Sequence, residues 1–179
     1  MQARTKRCST MAGKYEVERR FLVRAEKGLL ATFDECRRLK QGYLLTGERS
    51  LRIRVGENRG AVLTAKVGTG VRRLETEVVV PNEIAEALFL KADQQVIEKV
   101  RWYIGPWELD QFLGSLSGLF LLEVELERAD DELPDRLPSG VKVIREVTED
   151  NQFTSSGLAV LTGPEQRTLV EMAYSVRSS

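Results

Sequence analysis

The sequence predicts a strand-dominated α+β fold in which eight antiparallel strands carry a few helices packed outside them. Two observations carry that expectation. Apolar and charged residues alternate with a period of two in one segment after another: Glu16-Val17-Glu18-Arg19-Arg20, Arg52-Ile53-Arg54, Arg73-Leu74-Glu75-Thr76-Glu77, Lys99-Val100-Arg101, Glu108-Leu109-Asp110 and Glu123-Val124-Glu125-Leu126-Glu127. Only an extended backbone gathers alternate side chains on one face. Turn residues separate these segments at short intervals, as they do between hairpin strands.

Residues 1–13 read as a flexible N-terminal arm. The arm carries Arg4, Lys6 and Arg7 with no apolar stretch behind them, so it is not a secretory signal, and Met11 is an alternative start. The first strand covers residues 14–23, and a short helix is expected around 34–39. Strands at 38–46, 49–57, 60–68 and 71–80 follow, with hairpin-sized links at Thr46-Gly47-Glu48, 57–60 and 68–70, so this part is an antiparallel meander. Pro81-Asn82-Glu83 then precedes Ile84, Ala85, Ala87, Leu88 and Leu90, a helix with Asn82 as its N-cap. The last three strands fall at 95–104, 106–113 and 119–128. The acidic stretch 130–138 holds two prolines and reads as a loop. Helices are expected at 153–161 and at 164–176, where Pro164 suits a first turn. No linker or repeat divides the chain, so residues 14–179 read as a single domain with a C-terminal helix. Whether that helix caps one end of the strands is open.

With 179 residues, 42% apolar and 30% charged, the chain has the composition of a globular domain with a buried core. Twenty-seven basic residues balance twenty-seven acidic ones, which removes the basic footprint that a long nucleic acid needs; any anion site is local. Cys8 and Cys36 are the only thiols, a pattern of a reducing cytoplasm without a disulfide framework. No run approaches the ~20 apolar residues of a membrane-spanning helix. The absence of any His removes the commonest general base and the commonest metal ligand. Metal binding would rest on oxygen ligands, which favours Mg2+ or Mn2+ over zinc.

In an ordinary sandwich the charged parity of a strand faces water, and that accounts for any single cluster above. Eight strands together are harder to explain that way, because solvated faces mix Thr, Ser, Gln and Lys rather than stacking Glu-x-Glu and Arg-x-Arg. Like charges side by side on a sheet repel. A divalent metal would offset the acidic pairs and a polyanion the basic ones. If the eight strands close into a barrel, one parity points into the lumen. Charges inside and apolar residues outside then make a hydrophilic tunnel, in which the basic side chains repel one another until an anion arrives.

Further phrases run through the chain in a fixed order. Glu16, Glu18 and Arg20 are followed by Gln41-Gly42-Tyr43-Leu44, Arg52-Ile53-Arg54, Leu63-Thr64-Ala65-Lys66, Arg73 with Glu75 and Glu77, Glu98-Lys99-Val100-Arg101, Trp107-Glu108-Leu109-Asp110-Gln111-Phe112, Glu123-Val124-Glu125 and Arg145-Glu146-Val147-Thr148. This ordered set, over roughly residues 14 to 160, resembles the CYTH proteins, or triphosphate tunnel metalloenzymes, whose opening signature is Glu-x-Glu-x-Lys. The resemblance implies a closed eight-stranded antiparallel tunnel with a charged lumen, dependence on Mg2+ or Mn2+, and small-molecule substrates that carry a triphosphate. The chain looks most like the short bacterial members, which hydrolyse inorganic triphosphate. Two positions depart from the pattern. Arg20 stands for the signature Lys, keeping the charge but excluding a role as proton donor. Phe153-Thr154-Ser155 stands where an aromatic residue followed by Asn is expected.

Strands one and eight are neighbours in a closed barrel, so Glu16, Glu18, Glu123 and Glu125 are the expected metal ligands. Arg52, Arg54, Lys66, Arg73, Lys99 and Arg101 are expected to hold phosphate oxygens, joined by Arg20. Glu75, Glu77 and Asp110 remain on the lumen parity, to orient the attacking water, to position a second metal, or to pair with neighbouring bases; pairing is the reading for Glu108. Tyr15, Phe21, Trp102 and Trp107 read as packing between barrel and helices. The alternatives to an inorganic triphosphatase are a nucleotide or thiamine triphosphatase, an adenylate cyclase of the same family, and a binding module without turnover. No long nucleic acid or membrane is expected as a partner, and a homodimer is left open.

Overall fold

The computed structural model describes residues 13–26, 28–56 and 59–175. Residues 1–12 of the predicted 1–13 arm, with Met11 and Cys8, and residues 57 and 58 of the 57–60 link lie outside the described residues. Nine strands form one antiparallel sheet: β1 (Lys14–Ala25), β2 (Cys36–Leu45), β3 (Arg49–Gly56), β4 (Arg59–Val67), β5 (Arg72–Val80), β6 (Val96–Ile104), β7 (Trp107–Phe112), β8 (Phe120–Leu126) and β9 (Val141–Glu146). Helix α1 (Asn82–Ala92) joins β5 to β6, and α2 (Ser155–Ala159) and α3 (Gly163–Ser175) follow β9. The strand order is β5-β4-β3-β2-β6-β7-β8-β1-β9, and β1 also pairs with β5, which closes β1 to β8 into a barrel.

Closure depends on the length of β1. One of its edges pairs with β8 over residues 17–22, while the other pairs with β5 over 14–17 and with β9 over 21–25. A single strand thus closes the barrel with its first third and holds a ninth strand with its last. The register shifts between Leu22 and Val23, where Ile144 of β9 is left without a partner in β1, a bulge in the ninth strand.

β9 and the start of β2 differ from the sequence reading. Residues 141–146 were given no element, yet they form a strand because β1, continuing past the barrel, offers them an unpaired edge. The helix expected around 34–39 is absent: Cys36–Leu45 is strand, held by β6 from Cys36↔Trp102 to Gly42↔Val96. Cross-strand pairing overrides a helical preference that rests on so short a window.

Outside the barrel the apolar parity packs on two walls, but Tyr15, expected to pack between barrel and helices, is 56% exposed with the Arg72 guanidinium 3.9 Å over its ring. Phe21, Val23, Trp107, Leu109, Leu122 and Val124 are buried under Leu30, Leu133, Val141 and Val143, and Phe21 meets Trp107 edge to face with ring centroids 6.2 Å apart. On the opposite wall α1 covers Ile53, Ala61 and Leu63 with Ala85, Leu88 and Phe89. Gly42 permits that close approach, since a Cβ there would lie 2.9 Å from both Ala92 Cβ and Phe89 Cδ1. The lumen parity, however, is not charged along its whole length. Leu22, Tyr43, Ile97, Phe112 and Leu121 continue the charged rows toward one end, where Phe153 and Leu158 pack on them as an apolar plug. That plug comes from the turn before α2 and from α2 itself, whereas α3 packs on the Gly114–Leu116 turn.

Candidate active site

Between the plug and the opposite rim the lumen encloses a cavity of about 650 Å³. Its lining runs from the β6–β7 turn at Gly105 and Pro106 to the β2–β3 and β4–β5 turns at Thr46–Glu48 and Gly68–Gly70, with Asn151 and Thr154–Gly157 along one side. Because strand residues two apart share a face, β1 contributes Glu16, Glu18 and Arg20, β3 Arg52 and Arg54, β4 Thr64 and Lys66, and β5 Arg73, Glu75 and Glu77. β6 adds Lys99, Arg101 and Tyr103, β7 adds Glu108, and β8 adds Glu123 and Glu125. Thus every expected site residue but one lines a single cavity.

The exception is Asp110. It is fully buried beneath the lining, and both oxygens are taken: Arg101 donates Nε to Oδ1 and Nη2 to Oδ2, each at 2.6 Å, and Lys99 Nζ also bonds to Oδ2. Of the readings open for Asp110, this geometry fits pairing: it anchors two basic residues that do face the cavity rather than reaching a water there.

The rest of the lumen is a ladder of ion pairs. Lys66 Nζ bridges Glu16 at 2.6 Å and Glu75 at 2.5 Å. Arg73 Nη2 reaches Glu16 at 3.5 Å and Glu18 at 3.0 Å. Arg20 takes Glu18 with one nitrogen and Glu123 with another, the latter at 2.6 Å, and Arg101 joins Glu123 at 2.6 Å while also pairing with Glu108. Across the lumen Glu77 accepts from Thr64 Oγ1 at 2.8 Å and from Arg54 at 3.2 Å, with Arg52 Nη2 3.7 Å away. The repulsion expected among the basic residues is thus offset internally. Register explains it: Lys66 faces Glu75, Arg73 faces Glu16, Arg20 faces Glu123 and Arg101 faces Asp110 on neighbouring strands.

Two pairs of lining carboxylates break this pattern, Glu18 opposite Glu125 and Glu123 opposite Glu108. Both lie on β8 and its neighbours, where Glu16, Glu18, Glu123 and Glu125 were expected to hold a metal. Glu125 stands at the rim, paired at 2.8 Å with the exposed Lys14. Among the described residues no three acidic or thiol groups converge as a ligand cluster, since Arg and Lys stand between the carboxylates. The donor set itself is all oxygen, from adjacent strands, and fits a hard divalent cation.

Local environment tunes these groups. Burial works to raise the Glu123 carboxyl, yet Arg20 and Arg101 outweigh it and hold it well below the usual carboxylate range. Glu77 is lowered too: burial opposes, but the Thr64 hydroxyl and Arg54 prevail. Glu108 is raised, by burial first and then by Glu123 and Asp110 against the pull of Arg101. Burial and Arg101 push the Lys99 ammonium down despite Asp110. Arg20 is held charged, since Glu18 and Glu123 overcome the cost of its burial. Among the described residues, two buried guanidinium nitrogens of the lumen, Arg52 Nε and Arg73 Nε, have no hydrogen-bond partner.

Several lining residues were missed by the sequence reading. Thr64, 1% exposed, links Arg52 and Glu77 through its hydroxyl. Thr148 accepts the Arg20 backbone N–H at 3.0 Å and donates to Glu146 at 2.7 Å. Ser155 Oγ lies 3.4 Å from Lys99 Nζ. The lumen parity of the fourth strand already singles out Thr64, two residues before Lys66. Ser155 lies beyond the strands, where strand parity gives no guidance.

A closed barrel whose lumen is lined with paired charge defines a distinct class of tunnel protein. The chain belongs to the CYTH domain family, which it matches over residues 14–152. It is 34% identical over 160 residues to an inorganic triphosphatase of Acetivibrio thermocellus, covering 80% of this chain and 92% of that one. It is 33% identical over 156 residues to an inorganic triphosphatase of Nitrosomonas europaea, covering 81% and 97% respectively. The crystal structure of the inorganic triphosphatase NE1496 superposes with a TM-score of 0.53 at 30% identity, over 82% of this chain and 95% of that one.

Proposed function

We propose that this protein is a metal-dependent inorganic triphosphatase that cleaves a phosphoanhydride bond inside its barrel. The observation that carries the reading is the lumen itself, where guanidinium and ammonium groups from β3, β4, β5 and β6 face carboxylates of β1 and β8, with Arg52 Nε and Arg73 Nε buried and unpartnered. Buried donors without acceptors favour an anion that supplies them. Kinship with inorganic triphosphatases of 33–34% identity supports the same substrate.

The lining also argues against a nucleotide. Its aromatic residues are Tyr43, Tyr103 and Trp107. Tyr43 is buried in the plug, Tyr103 has the Arg37 guanidinium 4.9 Å over its ring, and Trp107 packs on Phe21 and donates Nε1 to the Arg136 carbonyl. None offers a free face to a base.

In this reading Arg52, Arg54, Lys66, Arg73 and Arg101 bind and align the phosphates by charge-assisted hydrogen bonds, and Arg20 and Lys99 add charge where the terminal group is attacked. Mg2+ or Mn2+ held by Glu16, Glu18, Glu123 and Glu125 would neutralise phosphate oxygens and lower the pKa of water there. Glu77, kept ionised, accepts a hydrogen bond from the attacking water and so orients it, with Glu75 beside it. Water oxygen bonds to the terminal phosphorus, the bond to the bridging oxygen breaks, pyrophosphate leaves, and the proton passes to a carboxylate. Free, exposed Cys36 fits a cytoplasmic setting.

The test is phosphate release from inorganic triphosphate, ATP and thiamine triphosphate with Mg2+ and with Mn2+. Release from inorganic triphosphate should exceed that from either organic substrate by at least about tenfold. Equal or faster release from ATP, or none from any substrate, rejects the assignment.

A further inference from the structure

Resting on the metal and phosphate assignments above, we propose that divalent cation and polyphosphate bind this lumen only cooperatively, because each set of ligands is occupied by the other until both arrive. Arg73 bonds to Glu16 and Glu18, Arg20 spans Glu18 and Glu123, and Arg101 closes on Glu123 at 2.6 Å. The guanidinium groups therefore act as built-in cations at the carboxylates that a metal would use. Equally, the carboxylates act as built-in anions at the groups that phosphate would use.

Charge balance points the same way. The cavity lining carries eight carboxylates against seven basic side chains, so it holds no surplus for a highly charged anion alone. A cation entering alone must displace Arg73 or Arg20 and leave a buried guanidinium unpaired. An anion entering alone must strip the same arginines and leave buried carboxylates unpaired. Either single event strands a buried charge, which is far more costly than an intact pair. Entering together, the cation takes the carboxylates while the anion takes the arginines, and every group exchanges one partner for another. Linkage makes the effect reciprocal: each ligand raises the affinity for the other by the same factor.

Direct binding tests this without turnover. Free Mn2+ is counted by electron paramagnetic resonance in a titration of the wild-type protein, alone and with saturating pyrophosphate, corrected for Mn2+–pyrophosphate complexes. Pyrophosphate should tighten Mn2+ binding by about tenfold or more. Arg73→Gln should tighten binding of Mn2+ alone, since it uncovers Glu16 and Glu18. Glu18→Gln should tighten binding of triphosphate alone, measured calorimetrically in EDTA, since it releases Arg20 and Arg73. The wild-type arm needs no variant, so a misfolded variant leaves the test intact. Equal Mn2+ affinity with and without pyrophosphate overturns the proposal, as does a Glu18→Gln protein that binds triphosphate no better than wild type. Coupled binding without phosphate release would reject the triphosphatase reading and leave the coupling standing; release with uncoupled binding would do the reverse.

Discussion

Arg20 shows what the lumen asks of a single side chain. Its planar fork reaches Glu18 and Glu123 at once, and those carboxylates keep it charged despite near-complete burial. A group so held gives up no proton, so its contribution is positive charge and position. Arg20→Lys should accordingly change turnover by less than about tenfold while lowering stability, since an ammonium cannot present two nitrogens to two strands. A large gain in turnover in steady-state assays would restore the proton-donor role. Asp110 is the reverse case, a carboxylate with no access to the cavity. Asp110→Asn should cost roughly 3 kcal/mol or more in denaturant unfolding, because Lys99 and Arg101 lose their buried counter-charge. That the two residues differ was not legible in the sequence. Alternation fixes which face a strand residue takes, and it placed both on the lumen side. It does not report depth, and Asp110 lies on a short strand beneath the two longer side chains that cover it.

At the scale of elements, eight of the nine strands follow from alternation and turn spacing, and the β1–β8 pairing that faces Glu18 with Glu125 was expected from closure alone. β9 escaped because its pattern, Val141-Lys142-Val143-Ile144-Arg145-Glu146, is brief and interrupted by adjacent apolar residues. Its existence depends on the far end of β1, a partner more than a hundred residues away in sequence. β9 then sets up the site: Val147 N–H donates to the Arg20 carbonyl at 2.8 Å, and Thr148 follows onto the Arg20 N–H, which fixes β1 behind its lumen side chains. The turn after β9 delivers α2 in a space that excludes any side chain at Gly157, where a Cβ would lie 2.0 Å from the Asn151 carbonyl oxygen. Gly157→Ala should destabilise the fold by about 1–3 kcal/mol and shift Ser155 away from Lys99. Thermal melting and a raised KM for triphosphate are the measurements. An unchanged melting temperature would mean that α2 does not bear on the plug.

Over the whole molecule, closure turns a local pattern into one electrostatic object. Composition gave no hint of it, since twenty-seven charges of each sign cancel and the barrel meets itself through only the four residue pairs between β1 and β5. What the sequence could reveal was parity, and parity becomes a lumen only when the sheet closes. Once closed, the charges stabilise the fold in a pH-dependent way. Glu123 and Glu77 sit below the ordinary carboxylate range when folded, so between their folded and unfolded values the unfolded chain binds more protons, and stability rises with pH there. Their contribution is fully present above the unfolded value, about 4.3, and disappears as pH falls through the folded values. Glu108, raised by burial, acts oppositely in a window just above the ordinary range, while Glu123 is buried between two arginines, Arg20 and Arg101. Melting temperatures should therefore fall steeply on acidification from pH 5 toward pH 3, which lies below the unfolded carboxylate value of about 4.3. Glu123→Gln should melt lower than wild type at pH 7, because Arg20 and Arg101 lose their shared partner, and should lose less of its remaining stability in acid. Parallel acid slopes for the two proteins would show that Glu123 does not carry the titration, and that the ladder's stability resides in its other rungs.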